Sequence, residues 1–284
     1  MALRRILQAS NNRARLAVGL LLAALFCIQC TRSEAFRTNP LITDVSGRSA
    51  GGASAKELER LAREDHIALL KLALQAYRER YDDYTCTFIK QERLNGQLRP
   101  EQWIEVKYAE KPFSVAMRWT QNPPIGDRAV YVEGKYNGQM VVRPRGLLHK
   151  LIGSQMRAPD GPEAMANTLR PITSFGFRRM MESLLEVYEK ARQRGEGSCR
   201  FLGCREVAGR RALALERLLP PRSDYPAKTT VWYLDTERLV PLALEGYDWD
   251  DQLICCYLFK DVAFNVGLAA EDFTPEANDM KLNK

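Results

Sequence analysis

Long stretches of this chain alternate apolar and polar residues with period two, and short turn signals separate them. Phe113, Val115, Met117 and Trp119 fall on one side of an extended segment, with Ser114, Ala116 and Arg118 on the other. Val130 and Val132 alternate in the same way with Tyr131 and Glu133. Lys135-Tyr136-Asn137-Gly138 supplies a turn, because Asn-Gly accepts the positive φ values of a type I′ hairpin, and Met140 and Val142 lie on the return strand. Val207-Ala208-Gly209-Arg210 is a second turn, between strands at 199–206 and 211–218. Three late strands follow at 229–234, 239–247 and 253–262, joined by Asp235-Thr236-Glu237-Arg238 and Asp248-Trp249-Asp250-Asp251. Consecutive hairpins of this kind predict an antiparallel meander and argue against βαβ winding.

Two segments change period. From Lys56 to about Tyr81 the residues are good helix formers, and Leu58, Leu61, Ala62, Leu69, Leu72, Ala73 and Ala76 share a face of one continuous helix that Ser54 would cap. From about Ser174 to Arg194, Phe177, Met180, Met181, Leu184, Leu185 and Tyr188 step by three and four before Gly195 and Gly197. An amphipathic helix of this length is marginal alone in water, so its apolar stripe needs a partner. The alternating sheet offers one. The expected fold is α+β: a half-open antiparallel β-barrel, a curved sheet of about 8–11 strands with helices on its concave face. Met180, Leu184 and Tyr188 should meet Met117 and Trp119. Residues 144–171 carry little strand signal and read as a long apolar connection, either a lid or a packed irregular segment.

The first 35 residues differ from the rest. Arg4, Arg5, Arg13, Arg15 and Arg32 against Glu34 place +4 of the net charge of +7 there. Leu16 to Ile28 is an apolar run, short for a permanent membrane span, and Ser33-Glu34-Ala35 offers small residues for cleavage. Residues 1–35 are therefore expected to be a signal peptide or signal anchor. Cleavage, lipid attachment at Cys27 or Cys30, and retention as an anchor stay open; a retained segment would contact the membrane. Residues 36–55, rich in Ser, Gly and Ala, are expected to be a flexible linker, and 56–284 a single domain. The expected location is the periplasm or cell envelope after export, free or tethered. Five cysteines follow the signal, Cys86, Cys199, Cys204, Cys255 and Cys256, an odd number that sequence cannot pair.

Most of the chemistry a sequence can announce is missing. There are two histidines, His66 and His149, and no CxxC pair in the mature region, so no metal and no cofactor is expected. Asp248, Asp250 and Asp251 lack the glycine and terminal glutamate of a calcium loop. Glu92 and Glu105 could be drawn as an acid/base pair, and Cys86 with either histidine as a nucleophile pair, but ordinary strand residues explain both. No phosphate loop, dinucleotide fingerprint or nucleophile elbow occurs. The basic clusters Arg143/Arg145/Lys150 and Arg178/Arg179 have no interleaved aromatics, so nucleic acid is not an expected partner. The expectation is a protein that is not an enzyme.

The order of several motifs resembles a bacterial family of secreted proteins of unknown function. These are Tyr84-Thr85-Cys86-Thr87-Phe88-Ile89-Lys90-Gln91-Glu92-Arg93, Pro112–Met117, Tyr131-Val132-Glu133-Gly134 and Asn137-Gly138. Asp160–Met165, Pro171–Gly176, Tyr247-Asp248-Trp249, Asn265–Leu268 and Asp272-Phe273-Thr274-Pro275 continue the series. The strand pattern and the closing Leu-x-x-x-Asp-Phe-x-Pro resemble the lipoprotein-carrier (LolA/LolB-like) superfamily. That resemblance, covering about Leu58 to Pro275, implies a half-open barrel over an apolar cavity that binds lipid or acyl chains. The expected function is therefore an envelope-located, non-catalytic binding or carrier domain for a lipid or acylated lipoprotein. A ligand-free structural or protein-interaction module with an envelope partner is the alternative. By alternation, the candidate ligand-binding residues are Phe88, Val115, Met117, Trp119, Met140, Val142, Val231, Tyr233, Leu242 and Leu244; a one-residue slip in any strand would turn its set to the other face.

Overall fold

The alternating segments become strands in the computed structural model, which describes residues 40–45 and 53–282. The expected signal segment and most of the linker lie outside the described residues, as do Cys27, Cys30 and the Ser54 side chain. In chain order the elements are β1 (Ile42–Asp44), α1 (Ala53–Glu64), α2 (His66–Arg80), β2 (Asp83–Leu94), β3 (Gln97–Leu98), β4 (Gln102–Glu110), β5 (Phe113–Gln121), β6 (Gly126–Val132), β7 (Met140–Pro144), α3 (Leu148–Ile152), β8 (Gln155–Arg157), α4 (Pro162–Met165), α5 (Phe177–Gln193), β9 (Ser198–Val207), β10 (Arg210–Leu218), β11 (Thr229–Asp235), β12 (Pro241–Tyr247) and β13 (Leu253–Phe264). Short 3₁₀ turns at Ala270–Phe273 and Glu276–Asn278 close the described chain.

Across the sheet the order is β9-β10-β11-β12-β13-β2-β4-β5-β6-β7-β8, and β3 pairs β2 off this path. All of these pairings are antiparallel. The path does not return to its start, so the sheet is open, as expected. These twelve strands exceed the expected range; β3 and β8 are two or three residues long, too short to show an alternation. Register shifts at Trp103/Ile104, Leu213/Leu215, Gly246/Tyr247 and Lys260/Ala263 are bulges. Extra residues of this kind bend a strand and increase its twist, which curves the sheet. The expected tight turn between β9 and β10 forms, with positive φ at Ala208 and Gly209; Tyr136 and Asn137 also have positive φ, but they lie in a 3₁₀ turn within a longer connection between β6 and β7.

The single helix expected from 56 to 81 is two. Asp65 stands in extended backbone between α1 and α2, and its Oδ1 accepts from the amides of Ile67 and Ala68, both at 3.0 Å. An aspartate in that role is a strong N-cap, and it restarts the helix with a new phase. Leu69, Leu70, Ala73, Leu74 and Tyr77 are therefore buried, while Leu72 is 39% exposed. The expected long connection at 144–171 also has structure: α3, β8 and α4, with β8 paired to β7.

α5 buries Phe177, Met181, Leu184, Tyr188 and Ala191 and packs on α2 and β12. The expected contact of Tyr188 with Trp119 is replaced by one with Trp232: the two side chains are hydrogen bonded at 3.0 Å. Trp119 Nε1 instead donates to Gln102 at 2.8 Å. On the opposite face of the sheet a second core joins Ala116, Val130, Val132 and Val141 to Phe273 and Met280. Phe273 of the closing motif is thus the anchor that lays the C-terminal turns on β5–β7.

Candidate functional site

The helical layer does not fill the curved face. Between α5, the segment 159–176 and strands β2, β4–β7, β12 and β13 lies a cavity of about 1200 Å³, larger than the roughly 300–1,000 Å³ of ordinary small-molecule sites. Its walls are mainly apolar. Phe88, Ile104, Met117, Ala129 and Phe259 come from the sheet, and Met180, Leu184 and Val187 from α5. At the mouth Leu148 and Ile152 of α3 reach the cavity, while Leu147 and Leu151 beside them are 74% and 79% exposed.

Alternation located much of this lining. Phe88, Met117, Trp119, Met140, Val142 and Leu244 all line the cavity. Val115 and Leu242 do not line it; they have the strand parity of Met117 and Leu244 but are fully buried in the adjoining core. Val231 and Tyr233 are placed on the wrong face. On β11 it is Thr230 that lines the cavity and Trp232 that reaches Tyr188, so the set assigned to this strand slips by one residue. β11 is apolar on both faces, with six of its seven residues buried, so its pattern held no parity to read.

Polar residues, which apolar alternation does not mark, also line the cavity. Lys90 and Glu92 share the inward parity of Phe88 on β2. Lys90 Nζ donates to Glu92 Oε2 at 3.0 Å and to Thr168 Oγ1 at 3.0 Å, and Tyr257 OH donates to Glu92 Oε1 at 2.7 Å. Every charge in this group is matched, as a buried ion pair requires. Burial, reinforced by Cys255 and Glu92, drives the Tyr257 hydroxyl well above its ordinary range. Arg217 of β10 also lines the cavity at 2% exposure. Its signal in the sequence was an arginine at the parity of Leu213 and Leu215, where an apolar residue is expected.

The reactive pairs considered from sequence do not assemble. Glu105 lies opposite Thr87 on the face away from Phe88 and pairs with exposed Arg118. His66 bonds Tyr188 and the Ala62 carbonyl, and His149 bonds the Gly146 carbonyl; neither meets Cys86. The thiols of Cys86, Cys199, Cys204 and Cys255 are free. Burial pushes the Cys255 thiol up to about 11, which leaves it protonated and unreactive. Asp248 Oδ1 accepts the amides of Asp250 and Gln252, and Asp251 pairs with Lys228, so the acidic stretch is a hairpin turn. Among the described residues no group of three His, Cys, Asp or Glu is placed to hold a metal, and no helix is long and apolar enough to cross a membrane.

No curated protein matches the chain in sequence. Among solved structures it is similar to a LolA superfamily protein from Nitrosomonas europaea, at 9% identity and a TM-score of 0.31, over 73% of this chain and 98% of that one. It is similar to the Mycobacterium tuberculosis lipoprotein LppX at 10% identity and 0.42, over 72% and 96%. It is also similar to the MucA/MucB complex structure of Pseudomonas aeruginosa, at 16% identity and 0.42, over 73% of this chain and 60% of that one. The family described as "Protein of unknown function (DUF1571)" matches residues 81–282, from the residue after α2 to the last described residue, and the chain belongs to that family.

Proposed function

We propose that this protein is a non-catalytic binding or carrier protein of the cell envelope, and that its cavity takes an apolar ligand, either a lipid or the acyl chain of a lipoprotein. One observation carries the reading: a cavity of about 1200 Å³ walled by Phe, Met, Ile and Leu side chains beneath an amphipathic helix. A sheet acting solely as a protein-interaction module would fill that volume with its own side chains, as small barrels do. Burying acyl chain stabilises a complex by about 0.8 kcal/mol per CH₂. A chain of about 14 carbons then contributes on the order of 10 kcal/mol before the ordering cost is subtracted. Such a site needs few polar contacts, which accounts for a sequence without catalytic motifs. The arginine-rich start and apolar run of residues 1–35 support export, and the exposed leucines at the mouth are suited to contact with an envelope partner during transfer.

Native mass spectrometry of the purified protein, followed by organic extraction, tests the reading. Co-purifying lipid, and displacement of an apolar fluorescent probe by added lipid, are expected. A protein that carries no lipid and takes up no probe would refute it.

A further inference from the structure

Most charged groups around the cavity are matched. Lys90 pairs with Glu92, Arg157 with Glu163, and Asp224 with Arg194 and Lys190. Arg217, 2% exposed, has no matching carboxylate among the described residues. Its Nη2 donates to Thr230 Oγ1 at 3.0 Å, and its guanidinium lies 4.8 Å from the centre of the Tyr188 ring. Its Nε and Nη1 are buried and have no hydrogen-bond partner among the described residues. Among the described residues no carboxylate pairs with it; besides its burial, the groups that act on it most are Tyr188, Cys199 and Tyr225, and the cation Arg170, which lines the same cavity. The adjacent Glu216 is on the other face of β10 and is paired with Arg200.

A guanidinium stays charged in proteins. Burying one without an anion is costly, and a tyrosine ring offsets part of that cost. Two buried donors without a partner, on a residue that lines the cavity, and a second cation nearby favour a negative group at this place. The fork geometry of arginine suits carboxylate and phosphate oxygens, which it binds with two parallel hydrogen bonds.

Resting on the proposed lipid-binding role, we infer that the ligand is an anionic amphiphile, whose carboxylate or phosphate head is held by Arg217 while its tail occupies the apolar cavity. Thr230 and the Tyr188 ring fix the guanidinium, and Arg170 adds to the positive field without occupying the same position.

Three probes of the same chain length separate the possibilities: oleate, oleoyl lysophosphatidate and neutral oleyl alcohol, each titrated against the full chain. The wild-type protein is expected to bind at least one of the charged probes roughly tenfold or more tighter than the alcohol, the scale of a hydrogen bond to a charged group. The tighter of the two charged probes identifies the head as carboxylate or phosphate. In Arg217→Met this preference should vanish while the alcohol still binds. Arg217→Lys should keep part of it. Equal affinity of wild type for charged and neutral probes would overturn the inference and leave the lipid-binding reading standing. Failure of all three probes would overturn both. The wild-type comparison needs no variant, so it decides the matter even if Arg217→Met folds poorly. Equal loss of charged and neutral binding in a folded Arg217→Met protein would make Arg217 a brace for Tyr188 and also overturn it.

Discussion

The hydroxyl of Tyr188 on α5 accepts a hydrogen bond from Nε1 of Trp232 on β11, at 3.0 Å in the buried core. An indole nitrogen can only donate, so the Tyr188 hydrogen is directed elsewhere, to His66 Nδ1 at 3.1 Å. His66 Nε2 in turn donates to the Ala62 carbonyl at 2.8 Å. Four elements, α1, α2, α5 and the sheet, are thus joined through the His66 and Trp232 side chains and the Tyr188 hydroxyl. Tyr188→Phe keeps the ring under Arg217 but strips two buried groups of their partner. It should lower stability by about 2 kcal/mol or more, since each buried unsatisfied group costs about 1–3 kcal/mol. Urea denaturation curves that overlay those of wild type would refute this.

The same network makes His66 sensitive to pH. As a neutral ring it has one donor and one acceptor, both used. Burial, the largest effect, lowers its affinity for a proton below the ordinary value. Below about pH 6.5 the unfolded chain binds a proton at this position that the folded protein does not. The stability contributed by neutral His66 is therefore complete above that pH and is lost as pH falls through the depressed folded value. His66→Gln should be less stable than wild type at neutral pH, and the difference should shrink under mild acid. Melting temperatures measured across that range would show it; a gap that stays constant with pH would count against it.

Glu245 carries the opposite slope. It lies on the face of β12 away from the cavity, 5% exposed, and burial pushes its carboxyl up to about 7 although Tyr247 OH donates to it at 2.8 Å. Between its ordinary 4.5 and about 7 the folded protein holds a proton that the unfolded chain releases, so stability falls as pH rises through this window. Glu245→Gln keeps the shape and cannot ionise. It should be more stable than wild type above pH 7, by about 2–3 kcal/mol, and should remove this part of the pH dependence. A variant equal to or weaker than wild type at high pH would sink the prediction.

The hairpin order was legible in the sequence because the turns announce themselves: Asn137-Gly138 and Ala208-Gly209 sit where positive φ is needed, and the flanking strands alternate. The strand face was legible only where one side of the sheet is polar. On β2 and β5 alternation points to Phe88, Met117 and Trp119, which line the cavity, whereas β11 is apolar on both sides and alternation there points to Val231 and Tyr233, not to the lining Thr230. The break at Asp65 was hidden because a single capping aspartate looks like any surface acid in a run of helix formers. Arg217 was hidden for a different reason. Alternation marks apolar residues, and what sets this cavity apart is a charged residue at an apolar position, which the pairing of Arg217 on β10 with Thr230 brings to the cavity wall.

If the cavity is the ligand site, narrowing it should weaken binding without unfolding the protein. Leu244 on β12 lines the cavity and is 5% exposed. In a well-packed core a larger side chain costs about 1–3 kcal/mol, because neighbours must move. Beside a space of about 1200 Å³ the added ring has somewhere to go. Leu244→Trp should therefore change stability by no more than about 1 kcal/mol while weakening an apolar fluorescent probe severalfold. Two results would speak against a functional cavity. Unchanged probe affinity in a folded Leu244→Trp protein would mean that the probe sits elsewhere, for instance on the exposed leucines of α3. A loss of stability of several kcal/mol would mean that the space closes in solution and that the sheet is packed against α5 throughout.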